Sequence, residues 1–158
     1  MFAPDNAKTT TVRLSRFDPS DLLAAYSPHS FFLDGLDWLT VEHYYQATKF
    51  SGAYFSRIAG QATPEAATKV GNGVVAGFIG GRKKEWKQKR KVMMTRAVYT
   101  KCRSHSDVAE ALLATGDNEI IDSSGYDYYW GIGRDGRGEN TYGKVLMNVR
   151  EKLRQEAG

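Results

Sequence analysis

The sequence predicts a single α+β domain in which helices predominate. Three observations carry that prediction. The chain has 158 residues, which suits one domain and is too short for two ordinary ones. Several long segments carry helix start and stop signals, whereas the strand-like segments are short. No repeat, linker or low-complexity tract divides the chain. A domain of this size buries roughly 68–70% of the surface its unfolded chain exposes, so it needs no staple. Its one cysteine, Cys102, excludes an internal disulfide and a thiolate zinc cluster.

Residues 1–10 lack hydrophobic periodicity and read as a flexible leader, which leaves 11–158 as the domain. Thr11 to Leu14 predicts an edge strand. Phe31 to Leu39 predicts a β-hairpin, because Asp34-Gly35 between apolar runs favours a type I′ turn. Thr40 is placed to cap a helix over 41–50, its hydroxyl accepting a first-turn amide. Thr63-Pro64-Glu65 supplies a cap, a proline at the first helical position and an early acid, so a helix through Val70 follows. Residues 71–81 read as a loop with a short turn inside. A long helix is expected over 84–101, then one from a cap at Ser106 to Thr115, with Gly116 as its stop. A short strand over 119–122, a glycine-rich loop over 126–142 and a last helix over 143–154 complete the reading.

The net charge of +4 comes from 22 basic and 18 acidic residues, but it is local. Residues 82–91 hold seven of the basic residues and one of the acids, and the rest of the chain carries 15 against 17. A local cluster points to a phosphate-bearing partner, with Arg82, Lys83 and Lys84 as its candidate contacts; the alternative is a solvated helix face. No early stretch is apolar enough for a signal peptide, and none approaches the roughly 20 residues of a membrane span. A cytoplasmic protein without a membrane partner is the expectation.

Three segments carry candidate chemistry. In Val41 to Phe50, a period of about 100° per residue puts Glu42 and Lys49 within roughly 20° of each other, with Tyr45 and Gln46 between them. A carboxylate and an amine on one face can supply a base and a nucleophile, or merely a surface ion pair. His43 reads as a structural hydrogen-bonding residue, since no second histidine stands at ligand spacing. Trp86 stands among lysines at the start of the long helix. Its alternatives are core packing, with Met93 and Ala97, and stacking of a base beside phosphate-binding charge. In Asp127 to Asn140, Gly131, Gly133, Gly136 and Gly138 let backbone approach a ligand closely, and Asp127, Tyr128, Tyr129 and Trp130 precede them. That spacing is neither a P-loop nor a dinucleotide fingerprint.

Taken in order, these segments resemble one family. The Glu42-to-Phe50 run, Trp86 before Val92-Met93-Met94, Leu112 to Gly116, Asp127 with Trp130 to Gly133, Gly138-Glu139-Asn140 and Gly143 to Arg150 are similar to the NADAR (YbiA-like) domain. The resemblance spans Ser27 to Leu153. Cys102 departs from it, where relatives often carry an aromatic residue.

The resemblance implies a mostly helical fold and hydrolysis of N-glycosidic bonds to ribose. It implies as substrate either a ribosylaminopyrimidine phosphate of riboflavin synthesis or ADP-ribose linked to guanine in nucleic acid. It carries functional roles onto Glu42, Lys49, Trp86, Asp127 and Trp130. With the residue reading, the candidate catalytic set is Glu42, Lys49 and Asp127. The candidate substrate contacts are Tyr45, Trp86, Trp130, Gly131, Gly133, Asn140, Arg82 and Lys84. No metal or cofactor is expected, because no His, Cys or carboxylate cluster shows ligand spacing.

Cleavage of a ribosidic C–N bond passes through an oxocarbenium-like sugar and needs negative charge near the anomeric carbon. Two schemes fit: attack by water activated by Glu42 or Asp127, or a Schiff base on Lys49 with a carboxylate moving protons. The second is favoured, since a lysine beside carboxylates in a pocket is costly unless used. The rival reading is a non-catalytic ADP-ribose or nucleic-acid binding module, which has no need of that lysine and two carboxylates together.

Overall fold

The computed structural model describes residues 10–73 and 83–158. The leader over 1–9, the interior of the loop after Gly71 and Arg82 lie outside the described residues.

Strand β1 (Val12–Leu14) does not pair with its sequence neighbours. It runs parallel to β4 (Ile120–Asp122), with Val12 opposite Ile120 and Leu14 opposite Asp122. This pairing fixes the loop after β1 beside the loop after β4. Strands β2 (Phe31–Leu33) and β3 (Leu36–Trp38) form the expected antiparallel hairpin. Asp34 and Gly35 have φ of 54° and 82°, the two left-handed residues that a type I′ turn needs. The Trp38 indole donates to Leu33 O at 2.9 Å and packs edge-on against Tyr44 and Phe55.

Helix α1 (Val41–Ala47) is capped by Thr40, whose hydroxyl accepts from His43 N, and all seven of its residues are buried. It ends three residues before the expected stop. The chain tightens there, Lys49 N donating to Gln46 O and Phe50 N to Ala47 O, the i to i+3 pattern common at helix ends. Helix α2 (Gly52–Ala59) follows with no side-chain hydrogen bond at its cap, Ser51, and a glycine at its first position. It carries no start signal, and the sequence reading did not include it.

Helix α3 (Pro64–Gly71) has the expected Thr63 cap, which accepts from Ala66 N, and its leading proline. Its last residue must be glycine, because a Cβ on Gly71 would stand 2.8 Å from Cδ and 3.0 Å from Cβ of Gln46. The backbone of α3 thereby closes onto the polar stripe of α1.

Helix α4 (Trp86–Ser104) starts two residues later than expected and runs three further. His105, in extended backbone, both ends α4 and caps α5 (Ser106–Ala114), so Ser106 is the first helical residue rather than the cap. Gly116, at φ 60°, ends α5 in the left-handed geometry that favours glycine. Helix α6 (Thr141–Ala157) begins two residues earlier than expected, after Asn140 at φ 53°. The core lies between α1, α4, α5 and α6, where Tyr44, Met94, Leu112, Tyr142 and Leu146 are essentially inaccessible. No helix among the described residues is long and apolar enough to cross a membrane.

Candidate functional site

The parallel β1–β4 pair delivers Arg16 and Asp127 from opposite ends of the sequence. Arg16, 5% exposed, follows β1 and meets three carboxylates: Asp127 at 2.9 Å, Glu42 at 3.5 Å and Asp122 at 3.6 Å. Burial opposes its charge, but Glu42 and Asp127 outweigh burial and raise its pKa. Where three acids converge, the guanidinium supplies the cation. Among the described residues no group of three His, Cys, Asp or Glu is arranged to hold a metal ion.

The carboxylates differ in surroundings. Glu42 is fully buried, and its Oε1 accepts from Gln46 Nε2 and Thr68 Oγ1, both at 2.8 Å. Asp127 Oδ1 accepts from the amides of Trp130 at 2.6 Å and Tyr129 at 2.9 Å. Burial pushes the Asp127 pKa up, but these amides and Arg16 more than offset it and hold the carboxyl below its ordinary value. Asp127 is therefore a settled anion. Burial leaves Asp122 above its ordinary value, despite bonds from Ser124 and Arg16 that favour its anion.

An aromatic wall adjoins this cluster. The Trp130 indole donates to Tyr45 OH at 3.0 Å, and the Tyr45 ring centroid lies 5.3 Å from Trp130 and 5.7 Å from Trp86. Burial holds the Tyr45 phenol well above its ordinary pKa, so it stays protonated. Lys49, 4% exposed, donates from Nζ to Asn72 Oδ1 at 2.8 Å; Nζ lies 4.8 Å from the Trp86 centroid and 5.1 Å from that of Tyr45. A cation over such faces is attracted by the ring quadrupole.

A cavity of about 390 Å³ opens beside these groups, lined by Arg16, Phe17, Asn72, Ser124, Tyr126 and Asp127 among others. Asn72 thus faces the same space as Asp127 while holding Lys49. Gly131 packs closely on two of these lining residues: a Cβ on it would come within 2.9 Å of Ser124 O and 3.1 Å of Asp127 O. Gly133 sits at φ 69° with its open side against the Tyr128 ring. Asn140 acts on β4, its Oδ1 accepting from Asp122 N and its Nδ2 donating to Ile120 O, each at 2.9 Å.

The structure thus brings Glu42, Tyr45, Lys49, Trp86, Asp127 and Trp130 into one network. Trp86 is buried in the core, as its packing alternative expects, and its ring also meets Tyr45 and Lys49. Lys84 is exposed, and Lys83 N donates to Lys49 O at 2.8 Å, tying the start of the basic run to the site. His43 is buried and structural, its ring bonded to Thr40 Oγ1 and Gln61 O. Sequence reasoning missed Arg16, Asp122, Thr68 and Asn72, which carry no local motif, and had Tyr129 only as part of the segment before the glycines. Arg90 was visible only as one member of the basic run.

Comparison with known proteins places the chain in a family. The sequence model of the family described as NADAR domain matches residues 2–154. An N-glycosidase of Nostoc punctiforme is 37% identical over 142 residues, covering 87% of this chain and 88% of that one. The N-glycosidase YbiA of Escherichia coli is 33% identical over 122 residues, covering 77% and 74%. The chloroplastic riboflavin biosynthesis protein PYRR of Zea mays is 30% identical over 165 residues; the match covers 95% of this chain but 26% of that longer protein. The NMR structure of E. coli YbiA superposes with a TM-score of 0.83 at 29% identity, covering 94% of this chain and 88% of that one.

Proposed function

Because the chain belongs to the NADAR domain family, we propose that it is an N-glycosidase that hydrolyses the bond between C1 of a phosphorylated ribose and a base nitrogen. The observation that carries this reading is the position of the Lys49 amine. It is buried against Trp86 and Tyr45 and oriented by Asn72, a residue that lines the same cavity as Asp127. A settled carboxylate lining a small cavity, with an amine held by a second lining residue and aromatic rings beside it, suits a sugar bearing a planar base.

In this scheme Lys49 Nζ bonds to C1 as the C–N bond to the base breaks, and the base leaves with a proton. The ribosyl-lysine opens at the ring oxygen to an imine. Water adds to that imine, the C1–Nζ bond breaks, and the ribose phosphate leaves as its aldehyde while the amine is regenerated. One water is consumed per bond cleaved. Asp127, held as an anion, stabilises the positive charge that grows on the sugar. Glu42, behind Arg16, moves protons between steps.

A cavity near 390 Å³ is the size of a small-ligand site and favours a ribosylaminopyrimidine phosphate, in keeping with the name of the maize relative. A second reading, removal of ADP-ribose from guanine in nucleic acid, is favoured by exposed Lys83, Lys84, Lys87, Lys89 and Lys91, a footprint suited to a phosphate backbone. Incubation with ribosylaminouracil phosphate and with ADP-ribosylated DNA, followed by chromatography, decides between them. Borohydride added during turnover is expected to leave a ribosyl adduct on Lys49. Turnover without an adduct would move the first attack to water. Binding without any product would make the chain a reader rather than an enzyme.

A further inference from the structure

The basic run at the start of α4 turns one of its cations toward the aromatic wall. Arg90 stands one helical turn after Trp86 and is half-buried, while Lys87, Lys89 and Lys91 around it are exposed. Its guanidinium carbon lies 3.2 Å from the Tyr129 ring centroid and 5.7 Å from that of Trp86. Tyr129 is the neighbour of Trp130 and packs on it at 4.8 Å. The wall that carries Lys49 therefore carries Arg90 as well.

Arg90 differs in its partners from Arg16, Arg96 and Arg150. Arg16 meets three carboxylates, Arg96 grips Asp34, and Arg150 donates to Thr115 Oγ1 and Asn118 O. Among the described residues Arg90 pairs with no carboxylate; its Nε is buried without a hydrogen-bond partner, as are those of Arg16 and Arg150. Stacking has already fixed the plane of the fork and stripped water from one face, so little freedom is lost when a ligand arrives. A planar fork with donors to spare matches a phosphoryl group, which accepts two parallel hydrogen bonds.

Charge divides the site in the same sense. A phosphate placed near Glu42, Asp122 and Asp127 would face three acids, whereas the α4 end of the wall offers a cation. We propose that Arg90, held flat on Tyr129, binds the phosphoryl group of the substrate, so that the sugar lies toward Asp127 and the phosphate toward α4. This rests on the reading of the substrate as a phosphorylated ribose. It moves phosphate recognition from the exposed lysines to one oriented guanidinium.

The test is calorimetric titration of the folded chain with ribose 5-phosphate, and with ribose at the same concentrations. Wild type is expected to bind the phosphate ester more tightly. Arg90→Gln should lose that preference, about tenfold or more, because bonds to a charged group are removed. Arg90→Lys keeps the charge without the fork and should fall between the two; it also serves as the measured variant if Arg90→Gln is poorly folded. Ribose binding should be the same in all three. A merely structural arginine would weaken both ligands together or neither, and either result overturns the proposal. In turnover, Arg90→Gln should raise KM for the phosphorylated riboside while largely sparing kcat. If wild type binds ribose 5-phosphate through Arg90 yet cleaves no N-riboside, the glycosidase reading fails and this one stands. If it cleaves N-ribosides and Arg90→Gln binds and turns over the phosphate ester as wild type does, only this one fails.

Discussion

Arg16 is the residue on which the carboxylate cluster depends, and Arg16→Met is its sharpest perturbation. The guanidinium is 5% exposed and lies 2.9–3.6 Å from three carboxylates. Removing one partner of a buried ion pair costs roughly 3–5 kcal/mol, because the charges left behind are unpaired. That is a large part of the ~5–15 kcal/mol that holds a domain together. At about 2–4 °C per kcal/mol for a chain of this length, Tm should fall by roughly 6–20 °C.

The deficit should also depend on pH. Asp127 is held below its ordinary 3.8, so in wild type its contribution is full above that value and is lost as pH falls through its folded value. Asp122, raised by burial, acts in the opposite sense, opposing folding as pH rises past the ordinary value. Without Arg16 the Asp122 and Asp127 carboxyls, which it favours as anions, should shift upward and protonate as the solution is acidified. The gap between variant and wild type should therefore narrow from pH 7 to pH 4. Urea unfolding followed by tryptophan fluorescence at both values measures it. A deficit below about 1 kcal/mol at pH 7, or one equal at the two values, would refute a cluster held together by charge.

Three further outcomes follow from the same geometry. Lys49→Arg keeps a cation on the aromatic wall but cannot form an imine, so turnover should be abolished while equilibrium dialysis still detects substrate binding; near-normal turnover would leave Lys49 a purely electrostatic role. Burial holds the buried His43 below its ordinary 6.5, so its share of stability is full above pH 6.5 and declines as pH drops below it. His43→Gln should flatten the acid side of the stability curve, as read by Tm between pH 7 and 5, though His29, lowered the same way, keeps part of the slope. Gly133→Ala would force a side chain at φ 69° into the Tyr128 ring, at a cost of about 1–3 kcal/mol, and denaturant unfolding should show at least the lower figure.

Most helices were legible because their signals are local. Thr40 and Thr63 act on amides three residues away, and Asp34-Gly35 determines its own turn. Helix α2 was not legible because it lacks such a signal: no side chain caps it, and it opens on glycine. It is held by packing, with Phe55 against Trp38 and Ile58 fully buried, a case of tertiary contact overriding weak propensity.

The candidate site divides along the same line. The order of residues along one helix put Glu42, Tyr45 and Lys49 on a common stripe, and the glycine spacing marked a loop where backbone comes close. Neither depends on anything distant in the chain. The sequence could not assign Arg16 to Asp127 or Arg90 to Tyr129, for the first contact spans 111 residues and the second joins α4 to the glycine-rich loop beyond α5 and β4. The first exists because β1 pairs with β4 across the molecule. Residue order thus determined the helices and which side chains share a face, since those follow from backbone periods of a few residues. Tertiary structure alone decided which charges are buried together and which guanidinium is left for a ligand, since burial and pairing depend on neighbours brought in by distant segments.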